Sequence, residues 1–305
     1  MTSALVVLFL AATIRTATPI AYAALGATYS ERSGIIHVGL EGIMLAGAFS
    51  AVYVSGISGS AWAGVFAAIA SGLLIGAVFA ILCIRFRANQ IVAGFGINIL
   101  ALGATKFGLE AIYDTAGVSP SVTGLDTLNV PFVSGLPVVG PMLFRSNGLI
   151  YLLFIIVVVS HIVLTKTRFG RRIEAAGEAP AAADAAGIAV HRTQFQAQLI
   201  AGALAGVGGA FLSLAQLTYF VEAMTAGRGF IALAANIFGG WTAIGAVAAS
   251  LLFGAAQALE VALQTAGVQV PPQLLLVLPY VLTIAALTFA SRNRAPTAVG
   301  IPYDP

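Results

Sequence analysis

Polar side chains able to do chemistry are scarce in this chain, so each one is conspicuous. Glu41 lies several residues into an apolar segment, flanked by Gly39 and Gly42. A charge at the middle of a bilayer costs roughly 2.5–3.5 kcal/mol on insertion scales, so such a group faces a cavity or a partner. Glu41 is either a carboxylate that contacts or gates a solute, or a structural acceptor for the free backbone N–H groups of a broken helix. Asn98 and Asn236 are neutral amides deep in apolar segments. An amide offers two donors and an acceptor, which suits a polar uncharged solute and equally suits a bond between helices. Phe95, Phe238 and Trp241 could stack on a planar ligand, or could serve as ordinary packing and interface aromatics.

The other charges read as structural. Lys106 and Glu110 stand at i,i+4 on one helix face and can neutralise each other. Glu222 and Arg228 are expected to pair near the end of an irregular segment. His37 has no second histidine at ligand spacing, so it reads as a satisfied polar residue and no metal is expected. Cys83 is the single cysteine, which excludes an internal disulfide. The Gly56-Ile57-Ser58-Gly59 run matches the GxSG of intramembrane serine proteases, but it sits at a turn and no histidine is placed to act as its base. No GxxxxGK[ST] phosphate-binding loop exists, so the chain does not hydrolyse ATP by that route. No catalytic residue and no cofactor are expected.

These side chains must be positioned by membrane helices. Of 305 residues, 59% are hydrophobic and 8% charged, against about 25% charged in soluble domains. Apolar stretches long enough to span, about 20 residues each, fall at 3–29, 36–55, 60–84, 90–112, 148–165, 194–217, 242–264 and 273–290. The segment 218–241, with its glycines and charge pair, is expected to cross as a broken or partly re-entrant helix. The reading is an all-α integral membrane protein of about nine transmembrane helices forming one domain over 1–305. A signal peptide is not expected, because Met1–Leu10 carries no positive residue and Arg15 interrupts the apolar run. Basic loops mark the cytoplasmic side: Arg32, Arg85 with Arg87, the stretch 166–192, and Arg292 with Arg294. The N-terminus is then outside, the C-terminus inside, and 113–147 is an outer loop rich in Gly, Pro, Ser and Thr. No basic, aromatic-interleaved surface for nucleic acid exists. Gly34–Ala48 followed by 60–84 is echoed by Gly227–Gly240 followed by 242–264, in the opposite sense. Such inverted repeats with interrupted helices build midplane sites in transporters.

The one long polar island is Lys166–Arg192, with five basic and three acidic residues. Pro180 can open a short helix and Gly187 can close it in a left-handed cap. This exposed piece is either a connector or a surface gripped by another protein.

Several stretches together resemble a known family. SERSGIIHVGLEGIMLAGAF is similar to the "ERxGxxNxGLEGxMLxGA" segment of permease subunits of bacterial ABC importers, in the branch related to ribose and branched-chain amino-acid permeases and especially its nucleoside-type members. GEAPAAADAAGI at 177–188 resembles that family's cytoplasmic "GExPxAAxxxGI", and 230–259 resembles its late "FxALAxxIFGxWxPxGxxxxxLLFG" stretch. The similarity covers about residues 15–290. It departs at His37, where Asn is usual, and at Ala243-Ile244, where Pro is common. The resemblance implies that Glu178–Ile188, with Glu178, Pro180, Ala182, Gly187 and Ile188 matching the pattern, is a coupling helix that docks on an ATPase. It also implies that Glu41, Asn98 and Asn236 lie in segments lining the translocation path. In length the chain resembles the shorter of two paired permeases. The implied partners are two ABC ATPase subunits, a second homologous permease and an extracytoplasmic solute-binding lipoprotein, in the bacterial cytoplasmic membrane. The solute expected is a nucleoside or related nucleobase compound, with simple sugars, flavin or another vitamin as alternatives. An ion-coupled secondary transporter using Glu41 and Lys106–Glu110 is the competing class.

Overall fold

A computed structural model describes residues 2–129, 145–265 and 295–304. The expected span at 273–290 and the middle of the 113–147 loop lie outside the described residues. The helices are α1 (Thr2–Arg32), α2 (Leu40–Ser58), α3 (Ala61–Ala80), α4 (Gln90–Tyr113), α5 (Gly148–Lys166), α6 (Arg168–Glu178), α7 (Pro180–Ala185), α8 (Val190–Ala210), α9 (Arg228–Phe238) and α10 (Ala243–Thr265). Two strands, β1 (Thr127–Asn129) and β2 (Arg145–Asn147), pair antiparallel. α3 and α8 continue into π-helical turns at Ile81–Arg85 and Phe211–Gln216. Among the described residues seven helices are long and apolar enough to cross a membrane.

Local signals set several helix starts. Ser60, Asn89, Asn147 and Thr167 each accept a backbone N–H of the first turn that follows them, which satisfies donors that a helix leaves unpaired. Pro19 sits inside α1, where it removes the bond that the Arg15 carbonyl would accept. Gln216 Nε2 donates to that carbonyl instead, at 3.1 Å.

In lipid there is no hydrophobic gain from bringing helices together, so close backbone packing through small residues drives their association. α1, α2, α3 and α8 form the centre in this way. A Cβ on Gly202 would lie 2.2 Å from the Gly72 carbonyl oxygen, and one on Gly206 would lie 2.2 Å from that of Ala68. The repeats Gly72-x3-Gly76 and Gly202-x3-Gly206 therefore form one seam. Tyr22, Leu25, Phe211 and Leu214 are fully buried in one apolar cluster. Ile20, Leu40, Ile43, Met44 and Phe79 are buried in a second.

Segment 218–241 contains turns followed by α9, which is 11 residues long. The turns pack against residues 117–125 through backbone bonds: Ser119 to Phe220, Val122 to Thr218 and Glu222 to Gly117. This pairing corrects two expected ion pairs. It carries Glu222 to α4, where it lies 3.6 Å from Lys106, so Lys106 does not pair with Glu110, nor Glu222 with Arg228. The Arg228 guanidinium instead donates to the carbonyls of Met224 and Thr225. His37 is a third correction. Its ring is fully buried and stacked on Phe79 at 3.9 Å, and neither ring nitrogen has a hydrogen-bond partner.

Candidate functional site: a pinned cavity and an exposed turn at the basic end

The island folds into α6, α7 and the start of α8. Pro180 stands at the first position of α7. Gly187 has φ +79°; its N–H donates to Asp184 and that of Ile188 donates to Ala183. This paired pattern closes a helix with a left-handed glycine, as the sequence predicts. Ala181, Ala182, Asp184, Ala185, Ala186 and Gly187 are exposed, whereas Ala183 is buried. Glu178 is the last residue of α6 and lies outside α7. Its carboxylate accepts from the backbone and hydroxyl of Thr297.

α6 is a helix that the proline and glycine signals alone do not reveal. The evidence for it in the sequence is the spacing of Gly170, Ile173, Ala176 and Gly177, all buried, against exposed Arg171, Arg172 and Glu174. Residues 295–304 lie across this end of the bundle. The Ala298 N–H donates to Gly177, and that of Gly300 donates to Gly34. Tyr303 packs with Ala176, Ala183 and Val190 and against the His191 ring. Partial desolvation, together with the hydrogen bond to Asp184 and that residue's charge, raises the Tyr303 hydroxyl above its ordinary pKa. Arg87 makes a two-pronged ion pair with Asp304. Within the island Glu174 is likewise ion-paired, lying 3.4 Å from Arg32.

A cavity of about 290 Å³ lies between α2, α4 and the turns before α9, lined by Glu41, Gly42, Asn98, Leu102, Thr225 and Gly227 among others. This is near the lower end of the roughly 300–1,000 Å³ typical of ligand pockets. Two of the three polar groups predicted to matter, Glu41 and Asn98, border it, and both are anchored to backbone. Glu41 Oε1 accepts from the Gly227 N–H at 2.8 Å and Oε2 from the Gly229 N–H at 2.6 Å. Gly227 has φ +82° and is the N-cap of α9, with no side-chain cap of its own. The carboxylate thus satisfies the exposed donors and the positive end of that helix. Asn98 accepts from the Gly42 N–H at 2.8 Å and donates to the Val38 carbonyl at 3.1 Å, which spans the interruption before α2. Each of the two broken segments is therefore held by a polar side chain from a neighbouring helix.

The remaining predicted residues do not line this cavity. Phe95 is half exposed on α4 and meets Phe230 with ring centroids 6.1 Å apart. Phe238 packs on Phe253. Asn236 is fully buried; its amide accepts from Thr28 at 2.8 Å and donates to Glu31 Oε2 at 2.9 Å. The Trp241 indole donates to the same oxygen at 2.6 Å. Glu31, 4% exposed, is thus the centre of a buried polar cluster that the sequence reading did not single out. The available signal was an acidic residue next to Arg32 inside the SERSG stretch.

Ser58, in the protease-like run, is exposed at the end of α2 and donates to its own helix at Val54. Among the described residues no group of three or more His, Cys, Asp or Glu side chains could hold a metal ion.

An all-α bundle with interrupted helices long and apolar enough to cross a bilayer, a cavity bordered by anchored polar side chains and an exposed capped turn at one end is the architecture of a membrane protein. The family model described as "Branched-chain amino acid transport system / permease component" matches residues 9–287, and the chain belongs to that family. It is 39% identical to the guanosine ABC transporter permease protein NupQ of Bacillus subtilis, over 96% of this chain and 95% of that one. It is 38% identical to the nucleoside ABC transporter permease protein NupC of Lactococcus lactis, over 94% and 93%. A putative glucose ABC transporter permease protein, TsgC13 of Haloferax volcanii, is 35% identical over 95% and 94%. No solved structure gives a significant match.

Proposed function

We propose that the chain is the non-catalytic permease subunit of an ATP-driven importer and forms the translocation path for nucleosides or related nucleobase compounds. The observation that carries this reading is near full-length similarity, at 38–39% identity, to two permeases named for guanosine and nucleoside transport. The site chemistry supports it: the cavity offers backbone, one amide and one carboxylate already engaged by two backbone N–H groups, a surface suited to weak binding of a polar uncharged solute. We place Glu41, Asn98 and the neighbouring Phe95 on the path, with Asn236, Phe238 and Trp241 supporting its wall from behind.

In this reading α7, flanked by Glu178, Gly187 and Ile188, docks on an ABC ATPase, with Pro180 opening the turn and Ala182 on its exposed face. ATP binding biases a two-state arrangement of the bundle toward one side or the other. The assembly comprises two ATPase subunits, a second homologous permease and an extracytoplasmic solute-binding lipoprotein in the cytoplasmic membrane, with the N-terminus outside and the C-terminus inside. A second, more distant permease from each of the same two bacteria also resembles this chain: NupP at 28% and NupB at 25% identity. That observation favours a heteromeric pair. The TsgC13 likeness makes glucose the competing solute.

The test is uptake of labelled guanosine, cytidine and glucose by proteoliposomes holding the co-expressed complex. ATP-dependent guanosine or cytidine uptake is expected. Uptake by this chain alone, driven by a proton or sodium gradient, would refute the reading.

A further inference from the structure

Glu31 has no role in the reading above, yet its surroundings are unusually specific. Its Oε2 receives two donors from α9 and the turn that follows, Asn236 Nδ2 at 2.9 Å and the Trp241 indole N–H at 2.6 Å. Asn236 is fixed in turn by the Thr28 hydroxyl, one helical turn before Glu31. A buried carboxylate is costly to keep unless its neighbours compensate it, so these bonds join the end of α1 firmly to the end of α9.

Both flanks of that joint lead somewhere. On the basic side, Arg32 pairs with Glu174 of α6, and the Arg32 carbonyl abuts Gly177 so closely that a Cβ there would lie 2.1 Å away. Gly177 lies three residues before α7 in the chain. The Ser33 carbonyl accepts from Gln194 of α8. At the other end of α9, Glu41 grips the N–H groups of Gly227 and Gly229 at the cavity wall. α9 is 11 residues long and is held by one carboxylate at each end. One grip lies near the docking turn and the other at the cavity.

We infer that Glu31 is a positioning residue that transmits movement of the α6–α7 region to the cavity through α9, so that Glu31, Asn236 and Trp241 act as the latch between energy input and the solute path. This role rests on the reading of the chain as an ATP-driven permease. A rigid helix fastened at both ends carries displacement only while both fastenings hold. Both donors converge on one oxygen, so an amide carbonyl at the same place reproduces the joint, whereas truncation does not.

The experiment compares Glu31→Ala, Glu31→Gln and Trp241→Phe in the complete complex in proteoliposomes, measuring ATP hydrolysis, solute uptake, solute KM and chain abundance. In Glu31→Ala the number of solutes moved per ATP should fall roughly tenfold, inside the 5–150-fold span of ordinary couplings, while hydrolysis continues. Glu31→Gln should restore the ratio. Trp241→Phe keeps ring volume and removes only the indole donor, so it answers the question even if Glu31→Ala folds poorly. It should lower the ratio severalfold. ATP-driven wild-type uptake with an unaltered ratio in Trp241→Phe, or no rescue by Glu31→Gln in a well-folded chain, overturns the latch alone. Wild-type uptake that needs no ATP overturns the permease reading and the latch together.

Discussion

Replacing Glu41 separates its two possible roles, cap and solute ligand. Its carboxylate makes two short bonds to backbone N–H groups, 2.8 and 2.6 Å. Hydrogen bonds to a charged group contribute about 1.5–3 kcal/mol each. Water from the adjoining cavity can replace part of that, so Glu41→Ala is expected to cost about 2–4 kcal/mol, of which up to ~2 kcal/mol is the loss of charge at the start of α9. For a chain this long each kcal/mol lowers Tm by roughly 2 °C, which gives a drop of about 4–8 °C. Glu41→Gln keeps one acceptor and should lose about half as much. Gly229→Ala places a Cβ 2.5 Å from the Glu41 backbone and disrupts the same contact, so the double variant Glu41→Ala/Gly229→Ala should be clearly less than additive. The assay is thermal unfolding of the purified chain in detergent, alongside solute binding by the complex. If Glu41→Gln melts like the wild type but abolishes solute binding, the carboxylate serves the solute and the capping argument is wrong.

Gly202→Leu should be among the most damaging single changes. Even a Cβ would stand 2.2 Å from the Gly72 carbonyl, so α3 and α8 must separate, and the loss of folded chain should be visible by size-exclusion chromatography. Gly187→Trp combines a left-handed backbone position, φ +79°, costing about 1–2 kcal/mol for a side chain, with bulk on the exposed turn. Abundance should stay near normal while uptake per ATP collapses, and unchanged transport would remove the docking role. The Lys106–Glu222 pair is partly exposed at both members, so a double-mutant cycle should give no more than about 1 kcal/mol. Removing Asp304, the partner of exposed Arg87, should leave Tm within about 1 kcal/mol equivalent of the wild type.

Composition and local signals determined the class. Low charge, long apolar runs and small-residue repeats specify a helical membrane bundle, because only internally bonded helices and closed barrels satisfy backbone groups in lipid. The α7 turn was legible too, since Pro180 and Gly187 act within a few residues of themselves. Glu41 and Asn98 stood out as polar groups with no local partner, and both border the cavity.

Tertiary structure decided what those groups touch. Lys106 chose Glu222 over its helix neighbour Glu110 because backbone pairing between 117–125 and 214–222 delivered it, and no spacing rule encodes that contact. Glu31 carried no signal of its own beyond its neighbour Arg32, and only the packing of α9 on α1 buried it under Asn236 and Trp241. Residues 295–304 carry no motif, yet they bind Gly34, Arg87 and the adjacent Gly177 and Glu178, three places far apart in the chain. Sequence pattern reports the partition of residues between lipid and interior, which is a local free energy. Which buried donor meets which acceptor depends on helix crossings set by glycine contacts, and those are a property of the assembled bundle.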